Sequence, residues 1–219
     1  MDIAPQNNPH IDYPAPDPAK PYVYPGTQVL INRFGIRNMA VLQRVVDTVA
    51  GLRGERLESA PLPGDFDLPH LCAIHRALFQ DIFAWAGQPR IVDTEKRGQD
   101  FLPATGIQGG FRHLHDELKG ENFLCGLDPE KFGDRLTRYW YCIYAVHVFR
   151  DGNSRAMRHF FAALAAAAGY RLDFSAIEGT ALLDACRSGY FKDDMGPLRD
   201  CLRKIIHRQR ASKTAAPPR

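Results

Sequence analysis

Apolar residues recur at three- and four-residue intervals through most of this chain, the mark of helices that each bury one face. Met39, Leu42, Val45, Val46, Val49 and Leu52 predict a first helix, and Pro61, Pro63 and Gly64 break the pattern after it. Asp67 is placed to cap a second, with the face Leu68, Leu71, Ile74, Leu78 and Phe79. Ile107, Phe111, Leu114 and Leu118 predict a third. Asp128 and Pro129 read as the cap and first position of a fourth, whose stripe is Phe132, Leu136, Trp140, Ile143 and Val146. The fifth is the clearest: Met157, Phe160, Phe161, Leu164, Ala165 and Ala168 hold the spacing until Gly169 stops it. Two more helices are expected near Phe174–Cys186 and Met195–His207. One stretch, Arg90–Pro103, departs from the helical period: Ile91-Val92, the polar turn Glu95-Lys96-Arg97-Gly98-Gln99, then Phe101-Leu102 read as a short β-hairpin. The expected fold is all-α with that hairpin attached, and no internal repeat is present.

Composition changes this picture mainly at the ends. Pro5, Pro9, Pro14, Pro16, Pro18 and Pro21 make residues 1–21 an expected extended or disordered leader. The chain beyond Arg208 is expected to be a solvated basic tail, 209–219, since Arg203, Lys204, His207, Arg208, Arg210, Lys213 and Arg219 crowd that end. The tail has no interleaved aromatics for base stacking, so nucleic acid is not the expected partner. Between the ends, 219 residues that are 45% hydrophobic and 24% charged suit one domain, 22–208, with a full core. No apolar run is long enough to cross a bilayer and the first residues lack a secretory apolar block. A cytoplasmic location is expected, with later secretion as an effector left open. The five cysteines, Cys72, Cys125, Cys142, Cys186 and Cys201, are scattered and form no CxxC pair, which favours apolar filling over disulfides or metal.

Between the fourth and fifth helices lies His147-Val148-Phe149-Arg150-Asp151-Gly152-Asn153-Ser154-Arg155, with Arg158 one turn on. Backbone N–H groups at a helix start lack intrahelical partners and form an anion site. Gly152 and Asn153 are residue types that readily take the left-handed geometry of an anion-cradling nest. Arg155 and Arg158, three apart, share a helix face, and two guanidinium groups there suit a polyphosphate. Asp151 offers a hard oxygen for Mg²⁺. Histidine ordinarily titrates near neutral pH, so His147 is expected to be able to accept the proton of an attacking hydroxyl. Each part has a plainer reading: a histidine that partners a helix end, a turn, a solvated arginine face, with Phe149 simply anchoring the loop. The order and spacing together point to phosphoryl or nucleotidyl transfer.

This segment resembles the Fic motif, H-x-F-x-(D/E)-G-N-(G/K)-R-x-x-R, at all but one specified position. Tyr22-Val23-Tyr24-Pro25-Gly26-Thr27 with Val29-Leu30-Ile31-Asn32 is similar to the lead-in of bacterial Fic toxins and effectors, and Leu71–Phe79 with Trp85-Ala86-Gly87 resembles the helix and turn before that family's flap. The resemblance implies a mainly helical Fic fold and a protein adenylyltransferase. His147 would deprotonate a target Tyr, Thr or Ser. Asp151 would hold Mg²⁺, Gly152, Asn153 and Ser154 would form the anion hole, and Arg155 and Arg158 would grip the phosphates of ATP. Arg90–Pro103 would be the flap that lines up the target by strand-like pairing.

Two departures bear on the expectation. Val148 occupies a variable position, commonly proline. Ser154 stands where glycine is usual, which strains the nest if that residue needs a positive φ and costs nothing if it is already helical. Alternatives from the same residues are transfer of UMP or phosphate, or a non-catalytic binding module. The family's inhibitory pattern, (S/T)-x-x-x-E-(G/N), is met neither at Glu121-Asn122 nor at Glu178-Gly179. The expectation is therefore an Arg158 open to ATP or blocked by a separate small antitoxin protein.

Overall fold

The computed structural model describes residues 20–209, so the expected leader, 1–21, lies almost wholly and the expected tail, 209–219, mostly outside the described residues. The chain divides into two compact units: the segment up to His115 with Ile143–Phe160, and Asp116–Cys142 with the segment from Phe161 onward. Among the described residues seven α-helices dominate: α1 (Met39–Ser59), α2 (Leu68–Phe79), α3 (Ile107–Gly120), α4 (Pro129–Val146), α5 (Asn153–Ala167), α6 (Ala181–Lys192) and α7 (Gly196–Ile205). Two small antiparallel pairs accompany them, β1 (Glu95–Lys96) with β2 (Gln99–Asp100) and β3 (Tyr170–Leu172) with β4 (Ile206–Arg208).

In the first unit, Asn38 and Asp67 cap α1 and α2 by accepting from Val41 and His70 N–H. The buried stripe of α1 is Leu42, Val46, Ala50, Gly54 and Leu57, whereas Met39 and Leu52, placed on the expected face, are exposed. Small residues explain the shift, because a Cβ on Gly54 would stand 3.1 Å from the His159 ring of α5. The face of α2 is buried as expected at Leu71, Ile74, Leu78 and Phe79, and so is the α3 residue Phe111. The lead-in folds back through a Val23–Leu30 bridge, and Ile31 N–H donates to Tyr22 O at 2.9 Å. Tyr22 then meets Trp85 edge to face at 5.6 Å.

In the second unit, Asp128 accepts from Glu130 and Lys131 N–H at the start of α4, and Phe132, Leu136 and Trp140 are buried. Phe132 stacks on Tyr170 at 4.1 Å and Trp140 on Phe161 at 4.6 Å. Gly169, at φ +84, ends α5 as expected. The following segment departs from expectation. Phe174–Ala176 is a single 3-10 turn capped by Asp173, and α6 begins only at Ala181, because Ile177 is extended. The expected last helix stops at Ile205, where Ile206–Arg208 turns extended to pair with Tyr170–Leu172. No periodicity marks three-residue strands.

Candidate active site

Everything in the predicted motif falls at the join of α4 and α5, within the first unit. His147 follows the last residue of α4 and takes a left-handed conformation, φ +47, with its N–H still bonded to Ile143 O at 3.2 Å. For a residue with a Cβ this conformation costs roughly 1–2 kcal/mol. The loop that follows is closed by Asn153, whose Oδ1 accepts from Phe149 N–H at 2.9 Å while its Nδ2 donates to Phe149 O at 2.7 Å. Asn153 is therefore spent on shaping the loop. Gly152 sits at φ +82, and a Cβ there would lie 2.5 Å from the Phe79 ring, so glycine is required twice over.

The first residue to bond back into α5 is Ala156, to Gly152 O at 3.1 Å. The N–H groups of Asn153, Ser154 and Arg155 thus project from the helix start. Ser154 lies exposed in the first turn of α5 and is absent from the positive-φ residues, so its Cβ brings no strain. Arg155 reaches Asp47 of α1 at 3.3 Å and covers the Phe79 ring at 5.0 Å. Arg158 is half-buried, and burial lowers its pKa.

His147 is 7% exposed and stacks on Phe101 at 3.8 Å. Burial, with the charges of Lys96, Arg90 and Arg150, pushes its pKa down to about 3, so the ring is neutral. A backbone contact with Tyr144 opposes this, and the buried Nδ1 has no hydrogen-bond partner among the described residues. The Asp151 carboxylate is part-exposed, and its main-chain carbonyl is held by His75. Among the described residues, no cluster of three or more His, Cys, Asp or Glu is arranged to hold a metal. A lone carboxylate fits Mg²⁺, which keeps waters and takes phosphate oxygens, and fits poorly to a metal needing a protein cage.

Sequence reasoning missed two residues that build this site. His75 is fully buried on α2, stacks on Phe149 at 3.8 Å, and bonds Asp151 O at 2.9 Å through Nε2. Gly87 N–H donates to its Nδ1 at 2.9 Å, which fixes the proton on Nε2. Burial drives its pKa to about 4. The second is Arg90, whose backbone N–H donates to Val148 O at 2.8 Å and whose Nε donates to His147 O at 2.8 Å. The only signal for His75 was a polar residue within a buried stripe; Arg90 gave none. The expected hairpin shrinks to two residues per strand, but its arms pack onto the body: Gln99 accepts from Tyr144 OH at 2.7 Å and Leu102 N–H donates to Ala145 O at 3.1 Å. A cavity of about 240 Å³ beside the first arm is lined by Tyr22, Val23, Val92, Thr94, Glu95 and Arg150, among others.

The chain belongs to the Fic/DOC family, whose model matches residues 65–165, from just before the cap of α2 into α5. It is 39% identical over 193 residues to the probable protein adenylyltransferase Fic of Salmonella typhimurium, covering 88% of this chain and 95% of that protein. The protein adenylyltransferase VbhT of Bartonella schoenbuchensis is 36% identical over 171 residues, 78% of this chain and 36% of that one. Among solved structures, the VirB-translocated effector protein BepC of Bartonella tribocorum with bound AMPPNP superposes with a TM-score of 0.82 at 28% identity, covering 86% of this chain and 97% of that one. An N-terminal Fic domain from Bartonella quintana with bound ADP also gives 0.82 at 28% identity, covering 87% and 96%.

Proposed function

We infer that this protein is a protein adenylyltransferase that moves AMP from ATP onto a Tyr, Thr or Ser hydroxyl of a target protein. The observation that carries the reading is a neutral, nearly buried imidazole one short loop from a helix start with projecting N–H groups. The relatives' names and the nucleotides bound in similar structures support it. The helix start and Arg155 and Arg158 receive the triphosphate. The target oxygen attacks the α-phosphorus, His147 takes the hydroxyl proton, and pyrophosphate leaves.

Asp151 would hold Mg²⁺, which supplies positive charge to the phosphate oxygens. The bound triphosphate also offsets the charges of Lys96, Arg90 and Arg150, which raises the His147 pKa toward a useful base. The flap arm beside the 240 Å³ cavity is the edge on which the target segment pairs. A small antitoxin protein blocking the phosphate site is the regulatory expectation, and the cytoplasm the expected compartment.

The test is labelling of bacterial lysate proteins with ATP carrying the label at the α- or the γ-phosphate. Label from α and none from γ, lost with EDTA and with His147→Ala, is the expected result. Label from γ instead would replace adenylyl transfer by phosphoryl transfer, and no label from either with well-folded protein would refute the reading.

A further inference from the structure

We propose that Arg90 is a positioning residue for this transfer, tying both arms of the flap to the carbonyl of His147 so that target strand and base move as one body. The proposal rests on the flap reading above. The Arg90 side chain is completely buried, yet it is not there for a salt bridge: Asp93 stands 3.8 Å away, largely exposed, and its carboxylate already accepts from Ala104 N–H at 2.7 Å. Instead the guanidinium is spent on carbonyls from three places. Nε donates to His147 O at 2.8 Å, Nη1 to Val92 O on the first arm at 2.8 Å, and Nη2 to Leu102 O on the second arm, with Val146 O a weaker acceptor at 3.4 Å. Only the planar five-donor fork of arginine spans such a set; an ammonium offers three donors from one point.

The main chain repeats the same connection. Arg90 N–H bonds Val148 O and Leu102 N–H bonds Ala145 O, so the two ends of the flap straddle the residue whose ring lies against Phe101. His147 holds a left-handed backbone, φ +47, which turns its carbonyl toward Arg90. Strain of this kind persists where the surroundings over-determine it. Releasing Arg90 frees the flap and the His147 backbone together. It leaves the loop from Phe149 to Asn153 closed by its own side-chain bonds. The phosphate site is therefore spared.

The discriminating comparison uses Arg90→Lys and Arg90→Met in the full chain, with three readouts. Titration with AMPPNP and Mg²⁺ is expected to give a Kd within about threefold of wild type. Labelling of lysate proteins from α-labelled ATP is expected to fall at least thirtyfold in Arg90→Met, with Arg90→Lys between it and wild type. Exchange of the Arg90 and Leu102 amide protons is expected to be slow in wild type and at least tenfold faster in Arg90→Met. Unchanged labelling overturns the proposal. So does loss of AMPPNP binding in step with labelling, or unfolding of both variants, because Arg90 would then serve the whole fold. Unprotected Arg90 and Leu102 amides in the wild-type protein overturn it without any variant. If wild type labels nothing, adenylyl transfer has failed, while amide exchange still decides whether the clamp exists.

Discussion

Replacing His75 by Phe tests how the α2 face holds the phosphate loop. The substitution keeps the ring stacked on Phe149 at 3.8 Å and removes two hydrogen bonds, leaving Gly87 N–H and Asp151 O without their partner. Each such loss costs ~1–3 kcal/mol in a buried setting, so stability at pH 7 should fall by about 2–6 kcal/mol. That is a sizeable part of the ~5–15 kcal/mol of a typical domain, and the variant should still fold. A second signature is specific to this histidine. Its folded pKa, about 4, lies below the ordinary 6.5, so the unfolded chain binds the proton more readily. The resulting stability is fully present above pH 6.5 and is lost as pH falls through about 4, amounting to roughly 3 kcal/mol. Urea denaturation of the apo protein in EDTA, at pH values from 7 to 4.5, measures this directly. The wild-type slope should exceed that of His75→Phe by about 1 kcal/mol per pH unit averaged over that range, rising to about 1.2 near pH 5.3 where the proton difference between the unfolded and folded ring is greatest. His147 and His159, also depressed, contribute to both proteins and cancel in the difference. Equal slopes would mean that His75 is not a buried neutral ring, and the account of the loop anchor would fail.

The remaining predictions concern the motif itself. Gly152→Ala forces a Cβ to 2.5 Å from Phe79 at φ +82 and should cost about 2–4 kcal/mol in urea unfolding, with AMPPNP binding lost in parallel. Ser154→Gly, which restores the commoner motif residue, should lower stability by ~0.5–1 kcal/mol and leave the transfer rate within about twofold, since Ser154 is already helical. Asp47→Asn releases Arg155 from an exposed pair worth ~0.4–1 kcal/mol, so calorimetry should show AMPPNP binding tighter by about twofold to fivefold. The pH dependence of transfer should show an acid limb, because His147 must be neutral, with its midpoint below the ordinary 6.5 but above the value of about 3 in the free protein. NMR titration of the free ring against the kinetic midpoint checks both ends.

What the sequence discloses follows the physics of range. The stripes of α2 and α4 depend on local periodicity, and burial at Leu71, Ile74, Phe132 and Trp140 matches them. The stripe of α1 is misjudged because its choice of face is set by Gly54 meeting His159, a contact more than a hundred positions away in the chain. The β3–β4 pair is invisible for the same reason: three residues carry no period, and Tyr170–Arg208 pairing is purely tertiary. Within the site, the motif residues from His147 to Arg158 are legible because the chemistry is written contiguously. His75 and Arg90 act on it from 76 and 57 positions away, and the pattern around each reads only as core or surface.

Those two residues divide the support of the site between them. His75 approaches from α2 and grips the loop at Asp151, the residue offered for Mg²⁺, while Arg90 grips the chain at His147, the proposed base. Between the two grips lies Phe149, stacked on His75 and bonded at both its N–H and its carbonyl to Asn153. On the proposed reading, the phosphate side and the hydroxyl side of the reaction are thus anchored by different residues, with Phe149 between them. Variants of His75 should therefore act through nucleotide affinity and variants of Arg90 through use of the acceptor, and a double variant should show losses that add in free energy, since the two grips share no partner.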